Sequence, residues 1–259
     1  MTEIAQRADR ATGAGETLVS LDGVTVAFGG VLALNAVTLD VTTEDGIVGI
    51  IGPNGAGKST CLSVIAGARP ATSGTVTALG RPLGSRPNPT RMSRAGVVRT
   101  FQIPRPFAEM TIRENVVVAL ASKKRARTSV LVREADVLLE RLGLGPLAGN
   151  KAGSLPLAVR KKLEVGRAVA SSPRLLLLDE VFEGLSDTEI TDMVRILREL
   201  HDDGIHLVLV EHVLRALRQL AQTLVVFEKG QVLAHGDLET VLDSAEVKQA
   251  YLGGGGVEA

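Results

Sequence analysis

The residues with the clearest chemistry lie in one run, Gly52-Pro53-Asn54-Gly55-Ala56-Gly57-Lys58-Ser59-Thr60. The spacing is G-x-x-x-x-G-K-[ST]. It follows an apolar stretch at 46–51 and opens a predicted helix, the context a phosphate-binding loop requires. Glycine lets the backbone curl around phosphate oxygens where a side chain would block positive φ or close approach. The curled N–H groups and the helix N-terminus then face negative charge. In such a loop Lys58 reaches the β- and γ-phosphates, and the Ser59 hydroxyl ligates Mg²⁺. A second motif supports the first. Leu175-Leu176-Leu177-Leu178-Asp179-Glu180 is an apolar run ending in two acids. In an open α/β sheet the C-terminal ends of the strands face the ligand crevice. Asp179 is therefore a candidate to hold Mg²⁺, and Glu180 to act as general base on an attacking water.

These residues need a scaffold. Residues 46–51 and 175–178 read as strands buried on both faces, as in parallel sheets. A further buried strand is predicted at 206–210. Residues 223–227 and 231–235 form a predicted hairpin across Lys229-Gly230. Residues 17–41 alternate apolar and polar positions, broken at Asp22-Gly23 and Gly29-Gly30, which suits short antiparallel strands. A helix is expected over 58–66. The 80–96 stretch, rich in Pro, Gly, Ser and Arg, reads as a surface connection. Thr111-Ile112-Arg113-Glu114 has the capping-box pattern of a helix start. A second helix is expected over 131–142, ending at Gly143, so the middle of the chain is mainly helical. Ser186-Asp187-Thr188-Glu189 caps another helix running to about His201.

Bulk properties narrow the possibilities. The chain has 259 residues, 45% hydrophobic but only 2% aromatic, so Val, Leu, Ile and Ala must build the core. Lys+Arg and Asp+Glu number 29 each, which gives no charge argument for a nucleic-acid partner. The single cysteine, Cys61, excludes an intrachain disulfide. No apolar stretch reaches membrane-spanning length. Residues 1–16 are polar, without the apolar core of a signal peptide, and are expected to be a disordered leader; 254–259 are expected to be a flexible tail.

With these motifs in this order, the chain resembles the ATPase subunits of ABC transporters. Phe28 precedes the phosphate loop; Gln102, a signature segment at 155–159, Asp179-Glu180, a D-loop at Gly184-Leu185-Ser186-Asp187 and His212 follow. The likeness covers about residues 17–253. Phe28-Gly29-Gly30-Val31-Leu32-Ala33-Leu34, Arg99-Thr100-Phe101-Gln102, Glu211-His212 and Ala250-Tyr251-Leu252-Gly253 resemble the branch serving branched-chain amino-acid uptake. Closely similar subunits serve urea and short-amide importers.

The resemblance implies an α/β fold: a RecA-like P-loop ATPase core, a small antiparallel β-subdomain, and an inserted α-helical subdomain at about 102–155. It implies that Phe28 stacks on adenine, that Gln102 contacts Mg²⁺ or the attacking water, and that His212 contacts the γ-phosphate. Asp187 would belong to the contact between two ATP sites. ATP and Mg²⁺ are the implied ligands. A second ABC ATPase subunit, two transmembrane permeases and an external solute-binding protein are the implied partners, at the cytoplasmic face of the membrane. Two rival readings are a soluble ABC ATPase of DNA repair or translation and a catalytically weak ATP-binding structural partner. The first usually carries a long coiled-coil insertion or two fused ATPase units, and this chain has neither.

One segment departs from the family. The signature usually reads L-S-G-G-Q or L-S-Y-G-Q; here it is Leu155-Pro156-Leu157-Ala158-Val159. Pro156 offers neither hydroxyl nor N–H, and Ala158 is expected to put a Cβ where close approach is wanted. Losing hydrogen bonds to a charged group, at about 1.5–3 kcal/mol each, would weaken the contact with a neighbour's nucleotide by orders of magnitude. The expectation is a heterodimer with unequal sites. Val181, where proline commonly follows the two acids, is a lesser departure. The basic run Lys123-Lys124-Arg125-Ala126-Arg127 reads as a solvated face.

Overall fold

A computed structural model describes residues 15–252 of the chain. Among the described residues ten strands form two sheets. The smaller is antiparallel, in the order β2-β1-β4-β5, with β1 Thr17–Phe28, β2 Val31–Thr42, β4 Ser73–Ala78 and β5 Arg81–Pro82. The larger has the order β10-β9-β3-β8-β7-β6. Its strands are β3 Val48–Ile51, β6 Val97–Arg99, β7 Leu175–Asp179, β8 His206–Val210, β9 Thr223–Glu228 and β10 Gln231–Asp237. All its neighbours pair in parallel except β10, which turns back on β9. The architecture is the expected α/β P-loop core with an antiparallel region beside it.

Period-2 alternation explains why β7 is apolar throughout. Leu175 and Leu177 face a core shared with the antiparallel sheet, while Leu176 and Leu178 face the core shared with the helices. Helix α1 (Lys58–Ile65) lies between the two sheets, and its Cys61, Leu62, Val64 and Ile65 join β1 and β2 residues in one cluster. Cys61 is fully buried, and burial pushes its thiol up to about 12. It is a small core side chain.

The helical region comprises α3 (Ile112–Lys123), α4 (Thr128–Arg141) and α5 (Leu157–Val169), with short 3-10 turns between α4 and α5. The Thr111 capping box forms as predicted: Glu114 N donates to Thr111 Oγ1 at 3.1 Å, and Thr111 N to Glu114 Oε2 at 2.7 Å. Helix α4 starts three residues before the predicted 131. The Ser186 capping box likewise starts α6 (Asp187–Asp202). Helices α7 (Leu214–Leu220), α8 (Leu238–Asp243) and α9 (Ala245–Leu252) are the last elements among the described residues.

Three expectations need correction. The antiparallel strands are not short: β1 and β2 run 12 residues each, and the Asp22-Gly23 break is absorbed as register shifts within β1. The 80–96 stretch is not a plain connection. It contains β5 and a helix, α2 (Pro89–Ala95), capped by Asn88 Oδ1 accepting from Arg91 N at 2.9 Å. Proline at the first helical position is tolerated there, which compositional reading of a Pro-rich stretch overlooks. Glu16, counted with the leader, pairs with Arg174 at 3.0 Å, and its carbonyl accepts from Thr43 N. Residues 1–14 and the 254–259 tail lie outside the described residues.

Candidate functional site

The glycine loop leaves the C-terminal end of β3, whose two neighbours are β8 and β9. Gly52 has φ 152°, and a Cβ there would lie 2.2 Å from the Phe227 carbonyl oxygen. Gly57 has φ 104°, with the Ala33 carbonyl oxygen 2.4 Å from any Cβ. Only glycine fits at these two places. Ala56 N–H donates to Pro53 O at 3.1 Å, and Ala56 O accepts from Gly230 N at 3.0 Å, which fastens the loop to the β9–β10 hairpin. Pro53, Asn54, Gly55 and Ser59 are exposed, and Thr60 half-buried.

Lys58 is buried and folds back along the loop. Its Nζ donates to Gly52 O at 2.6 Å and Pro53 O at 3.0 Å. Burial lowers its pKa, and the Glu180 and Asp179 carboxylates pull the other way. An ammonium folded over a curled glycine loop, within electrostatic reach of two acids, makes an anion cradle with its own counter-charge.

Parallel register brings the acids to this cradle. Asp179 ends β7, opposite Val210 of β8. Its Oδ1 accepts from Ser59 Oγ at 3.3 Å, while its Oδ2 lies 2.5 Å from Arg99 Nη2. Arg99 also donates to Ser63 Oγ at 2.6 Å. Two hard oxygens, from Ser59 and Asp179, thus converge where a guanidinium supplies positive charge. That donor set suits Mg²⁺, which takes few protein oxygens and completes its shell with water and phosphate.

Glu180 follows in a left-handed conformation, φ 51°. Its N–H donates to Val210 O at 2.9 Å, and its side chain accepts from Gln102 Nε2. Burial raises its pKa first, with Glu183 and Asp179 adding to that; His212 and Lys58 oppose it. His212 is exposed, in the loop after β8 and within electrostatic reach of Glu180. Lys58, Ser59, Asp179, Glu180, Gln102 and His212 are therefore brought to one place. The arrangement pairs an anion cradle with a carboxylate whose raised pKa suits it to take a proton.

Phe28 takes no part in these hydrogen bonds. It ends β1, is 43% exposed, and carries the Arg69 guanidinium 4.3 Å above its ring centroid. Asp187 is exposed and pairs with Arg215 of the same chain.

In the 155–159 segment Pro156 caps α5 with φ −56°. Ala158 does not project as expected. It is buried in the chain's own core, because the second residue of α5 faces inward there, and Leu157 is the side chain that stands out.

Sequence reading missed Arg99, Lys161 and Glu211. Lys161, buried on α5, donates Nζ to the Glu180 carbonyl at 2.8 Å. Glu211 is wholly buried, and its Oε1 accepts from Phe182 N at 2.9 Å. One signal was available, a charge at the end of an apolar strand for Arg99 and Glu211; Lys161 lies on a helix that sequence reading did not predict.

The sequence model of one family, described as ABC transporter, matches residues 34–183. The high-affinity branched-chain amino acid transport ATP-binding protein LivG of Salmonella typhimurium is 34% identical over 254 residues, 92% of this chain and 98% of that protein. BraF of Pseudomonas aeruginosa, of the same description, is 34% identical over 91% of this chain and 98% of that protein. Among solved structures, a nucleotide-free ATP-binding cassette from an ABC transporter superimposes with TM-score 0.81 at 30% identity, covering 91% of this chain and 98% of that one. The ADP conformation of the cassette MJ1267 gives TM-score 0.81 at 30% identity, covering 92% and 99%.

Proposed function

The chain belongs to the ABC transporter ATPase family, and from that premise we propose that it is the ATP-hydrolysing subunit of an importer for branched-chain amino acids or related amides. The observation that carries the ATPase reading is the meeting of Lys58, folded over the glycine cradle, with Asp179 and Glu180 at the end of a neighbouring strand. The solute class rests on the names of LivG and BraF alone.

In this reading residues 52–60 bind the triphosphate and Phe28 offers its ring to adenine, since stacking needs only a π face. Ser59, Asp179 and Gln102 would hold Mg²⁺, which supplies charge stabilisation on the phosphates when bound. Glu180 takes a proton from water as the water oxygen bonds to the γ-phosphorus. The bond from that phosphorus to the bridging oxygen breaks, and ADP leaves with the electron pair. Lys58 offsets charge on the phosphates, His212 holds the γ-phosphate, and Gln102 orients Glu180 and the water. The raised pKa of Glu180 supports its role as base.

The ATPase unit is taken as 17–253, with its helical subdomain at about 102–155. Among the described residues no helix is long and apolar enough to cross a membrane. Placement at the cytoplasmic face would therefore come through two permease subunits, with an external solute-binding protein delivering cargo.

The altered 155–159 segment favours pairing with a second, different ATPase subunit. This chain's loop would face an intact signature and hydrolyse; the partner's loop would face Pro156 and Leu157 and hydrolyse poorly. Uptake of labelled leucine and of labelled urea by cells with and without this gene tests the solute class. Unchanged uptake of both refutes it. ATP turnover by the chain alone against the chain with its partner tests the asymmetry. Full turnover alone refutes it.

A further inference from the structure

Glu180 sits in a conformation that an L-residue keeps only when its surroundings over-determine it. Two buried ionisable side chains supply the restraint, and neither has a part in the reaction described above. Lys161 comes from α5 and donates to the Glu180 carbonyl oxygen at 2.8 Å. Glu211 comes from the end of β8 and accepts from Phe182 N, two residues past Glu180, at 2.9 Å. Glu211 is itself anchored, since its N–H donates to Ile50 O of β3 at 3.1 Å. The carboxyl thus joins the strand that feeds the phosphate loop to the turn that holds the acid. Its Oε2 is buried without a hydrogen-bond partner, although Lys161 and Glu211 each favour the other's charged form. Lys161 lies on the second turn of the helix whose first residue is Leu157. The Leu157 side chain lies against Gly184, where a Cβ would be 2.9 Å from its Cδ2. The start of α5 and the turn beyond Glu180 are therefore packed together by a hydrogen bond and an apolar contact.

We propose that Lys161 and Glu211 are positioning residues for Glu180, gripping its turn from two sides, and that Lys161 transmits the position of the 155–159 helix start to the hydrolytic carboxylate of the same chain. The inference rests on the reading of Glu180 as base. In a dimer the 155–159 end faces the partner's nucleotide, so occupancy of one site moves the acid of the other through a single lysine. The family signature acts across the dimer; this link acts within one chain.

The test uses the full chain purified with its transporter subunits. Lys161→Met is expected to lower the saturated turnover rate roughly ten- to hundredfold, the scale of a small displacement of a reacting group. ATP half-saturation stays within about threefold, the pattern of a transition-state defect and not of lost binding. Lys161→Arg, which keeps a long cationic donor, restores most of the rate. Glu211→Ala behaves like Lys161→Met, and Glu211→Gln recovers, because its amide oxygen still accepts from Phe182. If Lys161→Met does not fold, Lys161→Gln takes its place and the same split of rate and half-saturation decides. Wild-type turnover in Lys161→Met, or in Lys161→Gln where that replaces it, overturns the proposal, as does a rate loss matched by an equal loss of ATP binding. Glu180→Gln in the same preparation separates the two ideas. If it is inactive while Lys161→Met is normal, only the positioning role fails. If it turns over normally, the base reading fails as well.

Discussion

The Arg99 guanidinium lies 2.5 Å from Asp179 Oδ2, so the acid proposed to hold Mg²⁺ has a cationic partner within its own chain. Asp179 is almost fully buried, and a buried carboxylate without a partner is costly. Ser59 donates to Asp179 and Ser63 accepts from Arg99, so both members of the pair are tied to α1.

Arg99→Met is therefore expected to destabilise the nucleotide-free protein by about 3 kcal/mol, the scale of breaking a buried pair. Mg²⁺ with ATP should then raise the melting temperature of the variant more than that of the wild type. Equal shifts in both proteins would mean that Arg99 stays on Asp179 when nucleotide is present.

Lys58→Ala removes the ammonium that faces the cradle, with its hydrogen bonds to Gly52 O and Pro53 O. Affinity for a fluorescent ATP analogue should fall at least about tenfold, as expected when a charge-assisted contact of ~1.5–3 kcal/mol is lost. Undiminished binding would remove Lys58 from the phosphate site.

Glu180→Gln keeps the shape and the contact with Gln102 but cannot take a proton. Turnover should fall by roughly a hundredfold or more, within the usual contribution of a general base. ATP binding should persist, and a dimer trapped with nucleotide should accumulate on size exclusion.

Glu211 carries a pH signature. Burial pushes its pKa up to about 8 from an ordinary 4.5. Between those values the unfolded chain releases a proton that the folded chain keeps. Stability therefore falls as pH rises across that window, by at most about 5 kcal/mol from this group, and levels off above it. Glu211→Gln should flatten the curve, with urea midpoints measured at pH 5, 6.5 and 8. Parallel slopes in the two proteins would show that Glu211 ionises normally.

Restoring the family residues at Pro156→Ser, Ala158→Gly and Val159→Gln should raise turnover of the chain acting alone by about tenfold or more, one regained hydrogen bond to a charged group being worth ~1.5–3 kcal/mol. A modest loss of stability should accompany it, since glycine within a helix costs about 1 kcal/mol relative to alanine. Unchanged turnover would point to Leu157 as the remaining obstacle.

Local signals were the legible ones. The loop at 52–60, the acids at 179–180, and the Thr111 and Ser186 caps each depend on residues a few positions apart. A spacing rule reads such features directly. Arg99, Lys161 and Glu211 acquire meaning only through pairing between distant segments: β6 with β7, α5 with the Glu180 turn, β8 with β3. Helix α2 was hidden because Pro89 and the flanking Pro87 and Gly84 dominate its composition, whereas the Asn88 cap that starts it is a single side chain. The inward direction of Ala158 depended on helix phase, which a degenerate motif does not reveal.

Strand β3 is flanked by β8 and β9, both from the last quarter of the chain. The nucleotide cradle is thus written early and finished late. As the polypeptide leaves the ribosome, the loop's contacts with Phe227 and Gly230 wait until those residues have emerged. Until then the apolar Val48–Ile51 stretch lacks both strands that pair with it.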